Sequence, residues 1–476
     1  MVEKDIFVNG IDGVTGKYLV EPMDFAQAVT LIRGETQDNK IIQFLRQVWS
    51  FISQPHLGLP MEADPTDITQ AGWAIVFHKD ESQAVRDSLV PLIHHRQAKI
   101  GDDRAKVLEY YPEDTWSSWL ARHGVTAGSV IPEKIPYYIL IIGEPDKIPY
   151  SFEYLLNVEY AVGRVSYDKP EEYLRYAESL IEYETSPLVP NGKSVVFFAT
   201  RHDFDPATQL SADLLVNPLA DGIPSTGEPG TAAKRGFATH KVLGTDATKA
   251  NLYEVFRGNG WDKPPAFLFS ASHGMGWPKG HPDQMAKQGA LLCQDWPGYG
   301  SIDPGHYFTG AELPDDANVH GMVSFHFACY GAGTPKEDNF VHQPGEKPPQ
   351  IANRAFVAEL PKRLLNHPRG GALAVIGHVE RAWGYSIYHA DAGPQLLPFQ
   401  NAIGRILIGN PVGYSIKDFN ERYAALSTNL ANLLEEISFG ARVSDNQLAQ
   451  LWIDRNDAQN YVVLGDPAAR LRVEIL

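Results

Sequence analysis

The chain has 476 residues, 43% hydrophobic and 21% charged, enough for a large core in two or three domains or one two-part unit. Its net charge of −17 argues against a nucleic-acid surface, which needs clustered Lys and Arg. With no basic-then-apolar leader, no run of membrane-span length and only Cys293 and Cys329, a cytoplasmic chain with free thiols, no disulfide framework and no membrane partner is expected.

The first 71 residues mix short apolar runs with a helix-like stretch near Ile41 to Phe51 and carry no functional signal. Regular alternation begins at Gly72. Trp73–Phe77 reads as a strand, Glu81–Gln97 as a helix, Lys106–Tyr110 as a strand, Thr115–Arg122 as a helix, and Pro136–Ile142 as a buried strand ended by Gly143 and Pro145. A helix over Pro170–Glu184 and a breaker over Pro187–Gly192 close this series. A second follows: strand Ser194–Phe198, helix Leu210–Val216, strand Ala238–Leu243, helix Ala250–Arg257, two strands ending near Ala271 and Ala328, a helix near Ala355–Leu365, and strand Gly371–Ile376. Such alternation implies a mostly parallel sheet, here in two α/β units side by side, over 72–190 and 191–476.

Two of the apolar runs end in reactive side chains. Ala266-Phe-Leu-Phe-Ser-Ala-Ser-His273-Gly274 is followed, 329 − 273 = 56 residues after its histidine, by the cysteine of Met322-Val-Ser-Phe-His-Phe-Ala-Cys329-Tyr330-Gly331. As neighbouring parallel strands they would deliver His273 and Cys329 together at the carboxyl edge of the sheet. A thiol is mostly protonated at neutral pH, and a histidine within reach can take its proton and return it to a leaving amine. A lone buried Cys, or a lone His after a strand, is more often structural. Here the two occur jointly, in strand-end positions followed by glycines. His326 and Cys329 have a metal-like spacing, but side chains three apart in a strand point opposite ways, so no metal and no cofactor is expected. Gly331-Ala-Gly333 lacks the further Gly and Lys of a phosphate loop.

The His-Gly and Ala-Cys pairs at successive strand ends resemble the caspase-like clan of cysteine peptidases, with a layout similar to gingipain-like and CHAT-type members. Tyr138–Pro149, Tyr160–Val165 and Tyr461–Pro467 resemble recurring segments of the gingipain-like group. The resemblance covers 72–476 and implies a three-layer α/β/α fold, a His273–Cys329 dyad without a third orienting carboxylate, and an oxyanion site made by the N–H groups of Gly274 and Cys329. It places the pocket for the residue before the cut on the loops Arg201–Asp205 and His378–Trp383. Phe327 stands where caspases carry Gln, which favours a basic residue there, with Asp203 or Asp205 as its partner, Glu380 as a further acid, and Trp383 as an apolar wall. The loop over 218–236, rich in Gly and Pro and ending in Lys234-Arg235, reads as flexible and as a candidate activation cleavage site. The implied partners are a protein or peptide substrate and an upstream activating protease or regulatory protein. Bacterial stress or antiviral defence would be a fitting setting, and an idle binding module the alternative.

Overall fold

The computed structural model describes residues 6–29, 59–60, 63–338, 347–389 and 393–476; the helix expected near Ile41 to Phe51 lies outside them. Ten strands form one sheet: β1 (Trp73–His78), β2 (Ala105–Tyr110), β3 (Tyr138–Ile142), β4 (Ala161–Val165), β5 (Gly192–Ala199), β6 (Ala238–Leu243), β7 (Pro265–Ala271), β8 (Val323–Phe327), β9 (Ala374–His378) and β10 (Tyr461–Gly465). Their order is β2-β1-β3-β4-β10-β9-β8-β7-β5-β6. The class is mixed α/β with a large, mostly parallel central sheet. Residues of β3, β4, β7, β8, β9 and β10 are buried throughout, so both faces are covered and the strands read as unbroken apolar runs.

The one antiparallel neighbour pair in this sheet is β9 with β10, while β10 is parallel to β4. Strands on either side of that junction therefore run in opposite directions. Only β5 to β9 end at the edge where His273 and Cys329 emerge. No break separates 72–190 from the rest of the sheet.

The expected helix over 81–97 is two helices, Gln83–Ser88 and α1 (Val90–Ile100), divided at Leu89 with Pro91 in the first turn of the second. Helix α2 spans Pro170–Thr185. On α1, Arg96 is 0% exposed and bridges Glu184 of α2 at 2.7 and 2.8 Å to Asp466, just after β10, at 2.8 Å. Asp466 also accepts from the Trp73 indole N–H at 3.1 Å. This fork ties the first half to the final strand. The helix expected over 210–216 begins earlier, as α3 (Pro206–Leu210), and continues through a π-helical turn over Ser211–Val216. Last in the chain of helices is α4 (Asp445–Gln459), which leads into β10.

Candidate active site

Strands β7 and β8 pair in parallel with Ala271 opposite Phe327. His273 and Cys329 each lie two residues past that rung, so both stand at the same height above the sheet edge. The turn after the cysteine is tight. Tyr330 has φ 58°, the only positive φ among the described non-glycine residues, and its N–H donates to the Glu380 carbonyl at 2.7 Å. A left-handed tyrosine costs on the order of 1–3 kcal/mol, the kind of backbone strain that concentrates at functional sites. Gly274 runs against the same turn: a Cβ there would overlap the Cys329 carbonyl group.

His273 is fully buried, and its Nε2 lies 2.7 Å from Oδ2 of Asp205. Asp205 caps α3, accepting from the Thr208 N–H at 3.1 Å, with Pro206 as the first helical residue. Its other oxygen accepts from the hydroxyls of Tyr18 and, at 2.9 Å, Tyr299. Burial alone would raise this carboxyl, but the charge of His273 and the hydrogen bonds of His273, Tyr18 and Thr208 outweigh it and hold Asp205 well below the usual range. Burial and the Asp205 charge push the Tyr18 phenol far up, so it stays a donor. Nδ1 of His273, the nitrogen not facing Asp205, has no hydrogen-bond partner among the described residues.

Cys329 is 0% exposed, and burial pushes its thiol up to about 12, opposed by its hydrogen bond from the Ala382 N–H. The Ala382 N–H lies 3.2 Å from Sγ. The loop of 379–384 is held by the end of α4 and the residue after it: the Trp383 N–H donates to Asp457 Oδ1 at 3.0 Å, and the Val379 N–H to the Asn460 carbonyl at 3.0 Å.

What covers the thiol is the N-terminal segment. Residues 6–23 form a hairpin, with bridges Ile6 to Met23 and Ile11 to Tyr18 and a turn in which Asp12 Oδ1 accepts from the N–H groups of Val14 and Thr15 at 3.0 and 2.7 Å. Its first arm crosses the site. Val8 bridges Trp383 antiparallel, the Asn9 N–H donates to the Ala382 carbonyl at 2.9 Å, and the Phe7 carbonyl accepts from the Gly384 N–H at 3.2 Å. Beyond Asn9 the arm changes partner, and Gly10–Asp12 pair in parallel with Gly274–Gly276. At the crossover the Asn9 carbonyl oxygen accepts from two N–H groups at once, Gly274 at 2.8 Å and Cys329 at 3.1 Å.

Several expected roles change accordingly. Asp205, expected to partner a basic substrate residue, has its oxygens engaged by His273, two tyrosines and a helix N-terminus. Asp203 has a side chain 97% exposed and pairs with Arg201 at 2.8 Å, out at the surface. Phe327 points into the core, its ring 6.0 Å from that of Phe399. Glu380 is buried and bonded to Arg381 at 2.6 Å, which forks onto Asp338 at 2.8 and 2.6 Å. Trp383 meets the arm through its main chain. The 218–236 segment is not a flexible loop: it holds a helix over Asn217–Asp221, a hairpin of Gly222–Ile223 with Glu228–Pro229, and a 3-10 turn over Ala233–Arg235. Lys234 pairs with Glu228 at 3.1 Å, and extended binding to a protease would require this turn to unwind.

Reading the sequence missed Asn9, Gly10, Tyr18 and Tyr299. A signal for Asp205 was present in Asp205-Pro-Ala-Thr208, an N-cap followed by Pro at the first helical position, just past a strand end. Nothing in the composition of residues 6–23 marks them for this site. His326 bonds Ser324 at 2.8 Å inside the core, and burial lowers it to about 4. No group of three or more possible metal ligands occurs among the described residues. Nor, among them, is any helix long and apolar enough to cross a membrane.

No family model matches the chain, and no curated protein matches it. Two solved structures are similar at 12% identity. One, described as "Structure of Protease", covers 84% of this chain and 78% of its own at a TM-score of 0.44. The other, a complex of Porphyromonas gingivalis RgpB pro- and mature domains, covers 84% and 80% at a TM-score of 0.43.

Proposed function

We propose that the protein is a cysteine endopeptidase in which Cys329 attacks a peptide carbonyl, His273 carries the proton and Asp205 positions His273. The observation that carries this reading is the pair of main-chain N–H groups, from Gly274 and from Cys329 itself, converging on one carbonyl oxygen beside the thiol. Donors aimed at the oxygen of an attacked carbonyl stabilise the charge it acquires, and losing one typically costs about 10²–10³ in rate. The Asp205 carboxylate accepts the Nε2 proton of His273, which leaves Nδ1 as the base. Nδ1 takes the thiol proton, Sγ bonds to the carbonyl carbon, and the proton passes to the departing amine. Water then hydrolyses the thioester along the reverse proton path. Substrate binds as an extended strand, its residue before the cut and the one two places earlier bonded to the main chain of 382–384, as Asn9 and Phe7 are.

A preference for Arg or Lys before the cut has lost the residues it rested on, since Asp203 and Asp205 are committed elsewhere. The test is hydrolysis of a panel of fluorogenic peptides by the wild type and by Cys329→Ala, with a peptidyl electrophile as active-site label. Hydrolysis that vanishes in the variant, and label recovered on Cys329, support the peptidase. A wild type that binds the electrophile nowhere and cuts no peptide, even with the N-terminal arm displaced, would leave a binding module instead.

A further inference from the structure

Residues 6–12 lie in the site as a substrate would lie, and their register selects one bond. The doubly hydrogen-bonded oxygen belongs to Asn9. The next residue, Gly10, passes so close to the nucleophile that a Cβ on it would stand 2.9 Å from Sγ of Cys329 and 3.0 Å from its Cβ. The carbonyl between those two features is that of the Asn9–Gly10 peptide. On its amino-terminal side the chain makes antiparallel contacts with 382–384; on its carboxyl-terminal side it pairs with Gly274–Gly276. Both flanks of the bond are thus gripped by main-chain hydrogen bonds, as a protease grips both sides of a scissile bond.

We propose, resting on the peptidase reading above, that Asn9–Gly10 is this enzyme's own cleavage site, and that the site accepts an uncharged asparagine before the cut and glycine after it. Sγ of Cys329 bonds to the Asn9 carbonyl carbon, the Asn9–Gly10 C–N bond breaks, and the thiol proton travels by His273 to the Gly10 nitrogen. Water adds its hydroxyl to the acyl carbon and its proton to sulfur. The products are an Asn9 carboxylate and a chain that begins at the Gly10 amine.

Two further observations fit this assignment. Asn9 is 0% exposed and its side-chain amide has no hydrogen-bond partner among the described residues, so the site selects by size and neutrality: a Lys, Arg or Asp in its place would bury an unpaired charge, which costs far more than an unpaired amide. Gly10 also faces Leu19 of the returning arm, and any side chain there would overlap it, so glycine is the residue that lets the arm seat over the thiol. Until the bond is cut, the arm occupies the groove any other substrate needs.

The experiment follows the full-length protein by intact mass, beside Cys329→Ala, Asn9→Lys and Gly10→Ala. In parallel, all four are given a free peptide of sequence Ile-Phe-Val-Asn-Gly-Ile-Asp and an electrophile built on Ile-Phe-Val-Asn. Self-cleavage yields residues 1–9 and a fragment beginning at Gly10, absent in Cys329→Ala and at least tenfold slower in Asn9→Lys. Gly10→Ala, its arm displaced, takes the label at least tenfold faster than uncut wild type. A wild type that stays intact while it or Gly10→Ala cuts peptides at other residues overturns the proposal and leaves the peptidase standing. Equal cleavage in Cys329→Ala overturns it too, exposing spontaneous breakage at an Asn-Gly bond or a contaminant. No label and no hydrolysis in any variant sinks the peptidase reading itself.

Discussion

Replacing Asp205 with Asn removes one charge at nearly constant shape, and the site gives the size of the effect. Asp205 is fully buried, and all four of its neighbours, Nε2 of His273, the hydroxyls of Tyr18 and Tyr299 and the N–H of Thr208, present hydrogens to it. An amide offers one oxygen and one NH₂, so in either orientation a donor meets a donor. If the NH₂ faces His273, Nε2 must accept and the ring proton moves to Nδ1, which disables the base. The lost attraction between carboxylate and imidazolium, at charge centres about 4 Å apart, amounts to about 4 kcal/mol at an effective dielectric of 20. That corresponds to roughly a 10³-fold fall in rate. The assay is kcat/KM on the Ile-Phe-Val-Asn-Gly-Ile-Asp peptide, with circular dichroism to show that the variant is folded. A folded Asp205→Asn enzyme within threefold of wild type would refute the orienting role and return the site to a dyad.

Tyr18→Phe removes one charge-assisted hydrogen bond from Asp205, and about 1.5–3 kcal/mol of support with it. Activity should fall about tenfold or more, and Tyr299→Phe should deepen the loss by less than its own single effect, which steady-state kinetics of the double variant will show. Arg96→Leu leaves the fully buried Asp466 without its cation and the part-buried Glu184 with His95 alone, and unfolding in denaturant should show a loss of about 3–5 kcal/mol. Glu159 is raised from 4.5 to about 8, chiefly by burial. Its folded pKa lies above its unfolded one, so its contribution is present below about pH 4.5 and is lost as pH rises through about 8, up to about 5 kcal/mol in all. Thermal melts of Glu159→Gln, which keeps an acceptor for the Gly128 N–H, should therefore decline less than wild type between pH 5 and 8.5.

The strands were legible because a sheet covered on both faces leaves its mark as runs such as Tyr138-Ile-Leu-Ile-Ile142 and Pro265-Ala-Phe-Leu-Phe269, and the two reactive residues were legible because they end such runs. Helix boundaries were less so. Leu89 and the π-helical turn at Ser211–Val216 break a continuous apolar rhythm for local backbone reasons that periodicity does not carry. Asp205 and His273 are 68 residues apart, and the sequence holds many other acids within that span of His273; only the pairing of β5 with β7, which brings the loop after β5 beside His273, selects one. The arm was invisible for a similar reason. Asn9-Gly10 is a common turn pair, yet here it forms no hairpin turn: Asn9 bends between two partners, bonded to Ala382, Gly274 and Cys329, which the whole sheet brings near.

The place of β10 bears on when such an enzyme could first act in a cell. It fills the centre of the sheet, and the residues just before it, Asp457 of α4 and Asn460, hold the loop that binds the arm. A ribosome releases Cys329 and His273 long before these residues exist. The strands that carry both residues can pair in a growing chain, but the loop of 379–384 lacks its supports until Asp457 and Asn460 are made. On the peptidase reading, a partly made chain is thereby unable to grip a protein strand, and translation halted before Asp445 would yield an inert fragment.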